Sequence, residues 1–343
     1  MLEVRSKPTA IDLFSGCGGM TQGLKSAGFS VLASAEILAV ARETYHDNHP
    51  EVRQYTDVRR LTGATLLSDL NLRPGELDLL AGCPPCQGFS TIRTRNKPNP
   101  VADERNELIF DFLRLALALR PKAILMENVP GLMKDRRLEK TARRLRAAGY
   151  DVEVDVIDAA DFGVPQRRKR MILVATRTGR ASLPSGDSKQ RTVADAIRDL
   201  PKAGKSGIHW HDLKRDHSEK VMNIIRRISK DGGSRSDLGK EQLECHKRTD
   251  GFRDVYGRLS WNKVSSTITR SCVNPSKGRF IHPEEDRAIT VFEAALLQSF
   301  PKSYRFSRSI NLTEVTSMIG EALPPLFAKK QGLHIRRKIL NRQ

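Results

Sequence analysis

The chain has 343 residues, 38% of them hydrophobic and 29% charged, a balance that suits a globular chain and excludes an intrinsically disordered one. Its longest apolar stretch, Leu108 to Leu119, is broken by Asp111 and Arg114; no apolar leader precedes Glu3 and Arg5; and five cysteines are too few for a disulfide scaffold. A membrane span, a secretory signal and an oxidising compartment are therefore not expected, while 59 lysines and arginines against 40 acids, a net charge of +19, favour a polyanionic partner such as nucleic acid.

Taken in order, the first half alternates strand and helix patterns. Ala10 to Phe14 reads as a buried strand, Met20 to Ala27 as a short helix ended by Gly28, Phe29 to Ile37 as the next strand, and a helix follows through His46. Leu77 to Ala81 is a strand running into Cys83-Pro84-Pro85-Cys86. Residues 106–120 carry the clearest helical face, from Leu108 and Ile109 through Phe112, Leu115, Ala116 and Leu119, and Pro121 stops them. Strands are expected at Ala123–Met126, Val152–Ile157 and Met171–Ala175, with a basic helix from Arg136 to Ala148 before Gly149. Repeated βα units predict an α/β fold with a doubly wound, mostly parallel sheet, whose ligands lie at the carboxyl ends of the strands.

After residue 178 the rhythm breaks. Residues 179–285 lack long apolar strands, and from Lys202 to Arg279 there are 18 basic and 9 acidic residues, about half of the net charge. This predicts a second, smaller, loop-rich domain facing an anion. Regular patterning returns at Ala288–Leu297, and residues 329–343 carry six lysines and arginines with no acid. The expected division is 1–178, 179–285 and 286–343, the last returning to the first domain.

Three motifs carry chemistry. Asp12-Leu13-Phe14-Ser15-Gly16-Cys17-Gly18-Gly19 turns the first strand into the first helix, and glycines there permit close backbone approach to a ligand. Glu36 ends the second strand, where a carboxylate can accept from ribose hydroxyls. The pair reads as a nucleotide or nucleoside site, or as a structural turn. Cys83-Pro84-Pro85-Cys86-Gln87-Gly88-Phe89-Ser90 admits a zinc half-site, a redox pair or one nucleophilic cysteine at a strand end. The nucleophile reading is supported by Glu127-Asn128-Val129 on the neighbouring strand, since a cysteine and a glutamate at one sheet edge can attack a heterocycle and hold its polar edge. Gln166-Arg167-Arg168-Lys169-Arg170 opens the last strand, where alternation would put Gln166, Arg168 and Arg170 on one face.

In their order these motifs resemble the C5-cytosine DNA methyltransferases across essentially the whole chain. Phe14 to Gly19 is similar to the family's adenosylmethionine loop, Pro85-Cys86-Gln87 to its nucleophile loop, Glu127-Asn128-Val129 to its base-recognition motif, and Gln166, Arg168 and Arg170 to its Q-x-R-x-R strand. Arg105-Asn106-Glu107-Leu108, Arg287-Ala288-Ile289-Thr290, Glu293, Leu297-Gln298-Ser299-Phe300-Pro301 and Gly320-Glu321-Ala322-Leu323-Pro324-Pro325 follow in the expected places. The resemblance implies a Rossmann-like class I adenosylmethionine-dependent methyltransferase domain with a smaller target recognition domain.

It further implies catalysis by Cys86, Glu127 and Arg168, with Gln87, Ser90, Gln166 and Arg170 on the DNA. S-adenosyl-L-methionine, leaving as S-adenosyl-L-homocysteine, would be held by Phe14, Ser15, Gly16, Gly18, Glu36, Ile37, Asp57, Val58, Leu108, Glu321 and Ala322, with no metal. The implied protein is a monomer of the bacterial cytoplasm and nucleoid acting on double-stranded DNA, away from membranes; a cognate restriction endonuclease is a partner the resemblance admits without requiring. The alternatives are an RNA (tRNA) cytosine-5 methyltransferase, whose Cys-Phe-Thr motif is absent here, and an inactive relative, which would lack Cys86, Glu127 or the glycine loop. Two departures from the family stand out: Cys83 where glycine is usual, and Glu321 where the family reads asparagine.

Overall fold

The computed structural model describes residues 7–85, 104–186, 189–213, 215–241 and 254–341. They divide into two compact units, the first built from Met1–Asp158, Lys169–Gly186 and Leu323–Gln343, the second from Ala159–Arg168 and Asp187–Ala322.

The first unit is a seven-stranded sheet. Its strands are β1 (Thr9–Leu13), β2 (Ser30–Ala35), β3 (Arg53–Tyr55), β4 (Leu79–Gly82), β5 (Ala123–Asn128), β6 (Asp151–Asp158) and β7 (Lys169–Thr176), in the order β3-β2-β1-β4-β5-β7-β6. β1 to β5 run parallel, while β7 is antiparallel to both β5 and β6. Strand order reverses between β2 and β4 on either side of β1, which makes the carboxyl ends of β1 and β4 the switch point where a crevice opens in such folds. At that point Leu13 pairs with Gly82, and a Cβ on Gly82 would fall 2.7 Å from the Leu13 carbonyl oxygen, so glycine alone allows this approach.

The helices of this unit are α1 (Gly19–Ser26), α2 (Ala39–Asn48), α3 (Gly63–Asp69), α4 (Leu108–Leu119) and α5 (Arg136–Ala147). α4 buries Ile109, Phe112, Leu113, Leu115, Ala116 and Leu119 against the sheet residues Ile11, Leu13, Leu80, Ile124 and Met126, and ends with Arg120 in the left-handed region before Pro121. The expected helix start at residue 106 is instead a 3-10 turn, Glu104–Glu107, leading into Leu108. β3 and α3 were not foreseen, because a three-residue Arg-Gln-Tyr strand has no apolar pattern to announce it.

In the second unit the short helices α6 (Val193–Ile197), α7 (His209–Asp212), α8 (Glu219–Arg227), α9 (Val291–Leu297) and α10 (Leu312–Glu321) are joined by long loops, and its described residues contain isolated β-bridges but no strand. A small core of Ile225, Ile228, Leu238, Tyr256 and Ile281 surrounds the fully buried Arg258. That guanidinium donates to the carbonyls of Ile225 (2.9 Å), Ile228 (3.2 Å), His282 (2.8 Å) and Glu285 (2.6 Å) and to the Asp286 carboxylate (2.6 Å). The chain then returns to the first unit as α11 (Pro325–His334), which packs on α1 where Gly23 leaves no room for a Cβ: one would lie 2.4 Å from the Cβ of Ala328.

Candidate active site

The loop after β1 is bent by three residues at positive φ, Phe14 (59°), Gly16 (54°) and Gly18 (94°), the last being the N-cap of α1. Left-handed backbone is tolerated by glycine and strained at phenylalanine, so Phe14 is held there by its surroundings. The Ser15 N–H donates to the Ala35 carbonyl at 3.0 Å and the Glu36 N–H to the Tyr55 carbonyl at 3.0 Å, which stitches the ends of β1, β2 and β3 together. The Glu36 carboxylate accepts from the N–H groups of Gly16 and Leu38, both at 2.9 Å. Beside it Ile37 and Leu38 are 57% and 53% exposed, unusual for large aliphatic side chains.

Asp57 and Val58 follow β3. Arg59 binds the Asp57 carboxylate at 2.7 Å and holds it below its ordinary range, chiefly through that hydrogen bond. Arg114 of α4 donates to the carbonyls of Val58 and Leu61, both at 2.8 Å, fixing this segment to the helix that Leu108 begins. The structure thus brings Phe14, Ser15, Gly16, Gly18, Glu36, Ile37, Asp57, Val58 and Leu108 to one edge of the sheet unit.

A polar ligand fits this edge on independent grounds. Among the described residues, Asp12 Oδ1 and Ser15 Oγ are buried without a hydrogen-bond partner, an arrangement that is costly until something completes it. The other oxygen of Asp12 accepts from Thr21 Oγ1 at 2.7 Å, and Thr21 is in turn 2.8 Å from the Tyr45 hydroxyl. Burial pushes the Asp12 carboxyl up to about 7; the Thr21 bond opposes this and the charge of Glu36 reinforces it.

The next edge is formed by β4 and β5. Glu127, 8% exposed at the end of β5, is ion-paired with Arg170 of β7, Nε to Oε1 at 2.7 Å. The Cys83 thiol is hydrogen-bonded to the same carboxylate; burial first, and then the charges of Glu127 and Asp12, push it well above its ordinary value. Cys83 is thereby kept as a thiol, a poor nucleophile. Asn128 Nδ2 donates to the Pro84 carbonyl at 2.8 Å and its Oδ1 accepts from the Val129 N–H at 2.8 Å, so the Glu127-Asn128-Val129 segment also pins the Pro-rich turn. Cys86, Gln87 and Ser90 lie outside the described residues, one of them immediately after Pro85.

The expected Q-x-R-x-R face requires correction. β7 begins only at Lys169; between β6 and β7 the chain makes a 3-10 turn, Ala159–Phe162, closed by the Ala159 N–H on the Arg168 carbonyl, and Gln166 forms a bridge with Ser265. Gln166 and Arg168 thus belong to the second unit and do not share a strand with Arg170. Gln166 is fully buried, donates to the Leu297 carbonyl and Gln298 Oε1, and accepts from the Ile268 N–H at 2.9 Å. Arg168, 3% exposed, donates to the carbonyls of Ile268 (3.0 Å) and Gly320 (2.9 Å). The arginine on Glu127 is Arg170.

Glu321 and Ala322, expected on the cofactor, also fall in the second unit, where Glu321 is ion-paired with Arg270 and the Ala322 carbonyl accepts from Gln298 at 2.7 Å. A Cβ on Gly320 would lie 2.2 Å from the Thr269 carbonyl carbon, which accounts for the glycine. Among the described residues, no cluster of three or more His, Cys, Asp or Glu side chains could hold a metal ion. No helix there is long and apolar enough to cross a membrane. Arg42 and Arg114, whose guanidiniums hold the loops beside this edge, had no sequence signal, because their partners are backbone carbonyls.

Comparison with known proteins adds an independent line. The family model of the C-5 cytosine-specific DNA methylases matches residues 9–337. The Type II methylase M.HgiDII of Herpetosiphon aurantiacus is 35% identical, covering 96% of this chain and 98% of its own length. The Type II methyltransferase M1.HphI of Haemophilus parahaemolyticus is 32% identical over 94% of this chain and 84% of its own. Among solved structures, a prophage-encoded methyltransferase of E. coli superposes with a TM-score of 0.75 at 25% identity, covering 97% and 99% of the two chains. The S. pombe Dnmt2 methyltransferase superposes with a TM-score of 0.69 over 98% and 100%; at 18% identity it speaks for the fold alone.

Proposed function

The chain belongs to the C-5 cytosine-specific DNA methylase family, and from that premise we propose how its residues divide the work of a DNA cytosine-5 methyltransferase. C5 of cytosine is a weak nucleophile inside a stacked base, so the base leaves the duplex before reaction. Cys86 adds as a thiolate to C6, which makes C5 electron-rich; Glu127 meets N3 and the exocyclic amine and favours charge at N3. Arg170 orients Glu127 through their 2.7 Å ion pair, the observation that carries this assignment. Once C5 carries the methyl group, its proton leaves to solvent, the electron pair re-forms the C5–C6 double bond, and Cys86 is expelled as a thiolate. Arg168 and Gln166 are braces of their own unit, through bonds to its backbone.

S-adenosyl-L-methionine, when bound, supplies the methyl group as an electrophile and departs as S-adenosyl-L-homocysteine. The residues that hold it are Phe14 against the adenine, Glu36 on the ribose, Ile37, Asp57 and Val58 around the base, and the N–H groups of the Gly16–Gly18 loop. The unpartnered Asp12 Oδ1 and Ser15 Oγ support a polar ligand at this place.

We assign the choice of target sequence to the 179–285 region, on the strength of its basic, loop-rich composition. The Type II names of the two relatives support a restriction-modification setting, with a cognate endonuclease as partner and duplex DNA in the cytoplasm as substrate. They also disfavour the RNA alternative. The purified chain, given labelled S-adenosyl-L-methionine with duplex genomic DNA or with tRNA, should place label on C5 of cytosine in DNA only. Label in tRNA and none in DNA would overturn the reading.

A further inference from the structure

We propose that Arg42 is a positioning residue for the cofactor, holding the Glu36–Leu38 turn in the shape that presents Glu36 and Ile37. The proposal rests on the cofactor site described above and concerns a residue outside every motif of the sequence.

Arg42 stands in the first turn and a half of α2 and reaches back past the helix start. Its Nη1 donates to two successive carbonyls beyond the end of β2, those of Glu36 (2.9 Å) and Ile37 (2.7 Å). A cation at a helix N-terminus opposes the helix dipole, so the position is electrostatically unfavourable unless specific bonds offset it. Two charge-assisted bonds to carbonyls do so. The turn needs such a hold. Leu38, the N-cap of α2, provides no side-chain cap, and the turn carries two large aliphatic side chains that are more than half exposed and gain nothing from water.

The clamp also acts on the second wall of the site. One oxygen of Glu36 accepts from the Leu38 N–H within the turn and the other from the Gly16 N–H in the glycine loop. Displacing the turn therefore displaces both the carboxylate and its link to the loop. Because these groups meet the cofactor and not the reacting base, loss of Arg42 should weaken cofactor binding and leave the chemical step intact once cofactor saturates.

The test is calorimetric titration of the full chain with S-adenosyl-L-homocysteine, alongside steady-state methyl transfer, for wild type, Arg42→Gln, Arg42→Lys and Glu36→Ala. Arg42→Gln should weaken the ligand roughly tenfold, the scale of lost charge-assisted bonds, and raise KM for S-adenosyl-L-methionine by a similar factor. kcat and KM for DNA should stay at wild-type values. Arg42→Lys should recover part of the affinity, since an ammonium keeps the charge but, on a differently shaped stem, does not set its donors where Nη1 serves both carbonyls. Thermal unfolding shows whether the variants are folded; if Arg42→Gln is not, Arg42→Lys decides, with a weakening of about threefold expected. Affinity within about twofold of wild type in the folded variants, with Glu36→Ala impaired, would overturn the role of Arg42 and leave the site standing. A parallel loss of kcat and DNA binding would mark a general structural defect and equally overturn it. Unchanged affinity in Glu36→Ala would remove the cofactor site itself, and the proposal with it.

Discussion

In the sheet unit, backbone polar groups pair along seven strands and the interior is left to Leu13, Leu80, Phe112 and Ile124, whereas the second unit has no strand among its described residues and is held by buried guanidiniums. Arg258 serves four carbonyls and one carboxylate, Arg168 serves two carbonyls, and the partly exposed Arg279 adds bonds to those of Gly232, Gly233 and Arg258 at 2.7–3.1 Å. A planar fork of five donors can gather loops that no ladder reaches. The sheet unit, whose strands pair along their backbones, leaves Asp12 Oδ1 and Ser15 Oγ unpartnered among the described residues at its carboxyl edge. The difference separates polar groups that build a fold from polar groups that wait for a ligand.

That separation breaks most visibly if Glu127 proves structural. Glu127→Gln keeps the size and loses the charge that meets Arg170, and it should lower single-turnover methyl transfer by ~10²–10⁴-fold while the melting temperature changes little. An equal loss of stability and activity would move Glu127 into the structural class.

The converse case is Arg258. Arg258→Met fills the space but removes a donor from four carbonyls and leaves Asp286 to Lys230 alone, and denaturant titration should show a loss of about 3–5 kcal/mol, with residual activity tracking the folded fraction. A small change would mean that the loops of the second unit are held by their apolar contacts alone.

A subtler comparison lies within the sheet unit, between two buried groups with opposite shifts. Burial, aided by Lys25, pushes His49 down to about 4, so the stability it contributes is present above its unfolded value near 6.5 and is lost as pH falls toward 4. Asp12, raised to about 7, behaves the other way: its contribution is present below 3.8 and is lost as pH rises through 7. Between pH 4 and 6.5 the two slopes oppose each other. Stability across that window should therefore rise with pH in Asp12→Asn, which keeps only the His49 slope, and fall with pH in His49→Asn, which keeps only the Asp12 slope, by on the order of 1–3 kcal/mol at the extremes. Parallel curves for wild type and both variants would refute the shifts.

What could be read in advance follows the same line. β1, β4 and β5 are short, mostly apolar runs, α4 has a 3.6-residue face closed by Pro121, and the glycine loop states its own turn; all are local patterns. The antiparallel placement of β7 depends on pairing with β5, distant in sequence. The alternation applied to Gln166, Arg168 and Arg170 holds only inside a strand, and the chain leaves the sheet between Asp158 and Lys169, so of the three Arg170 alone stands on a strand. Glu36 was legible as an acid at a strand end, but its bonds to the Gly16 and Leu38 N–H groups were not, nor were the arginine clamps. A backbone carbonyl carries no identity in a sequence.

The account turns on Cys86 as the nucleophile that attacks cytosine, and covalent trapping tests this most directly. Duplex DNA carrying 5-fluorocytosine at the target places fluorine where a proton must leave, so elimination stalls and the enzyme remains bonded to C6 through denaturing electrophoresis. Incubated with S-adenosyl-L-methionine, wild type and Cys83→Ser should form the adduct, Cys86→Ser should not, and peptide mapping should locate the base on Cys86. An adduct on Cys83, or one that persists in Cys86→Ser, would contradict the assignment.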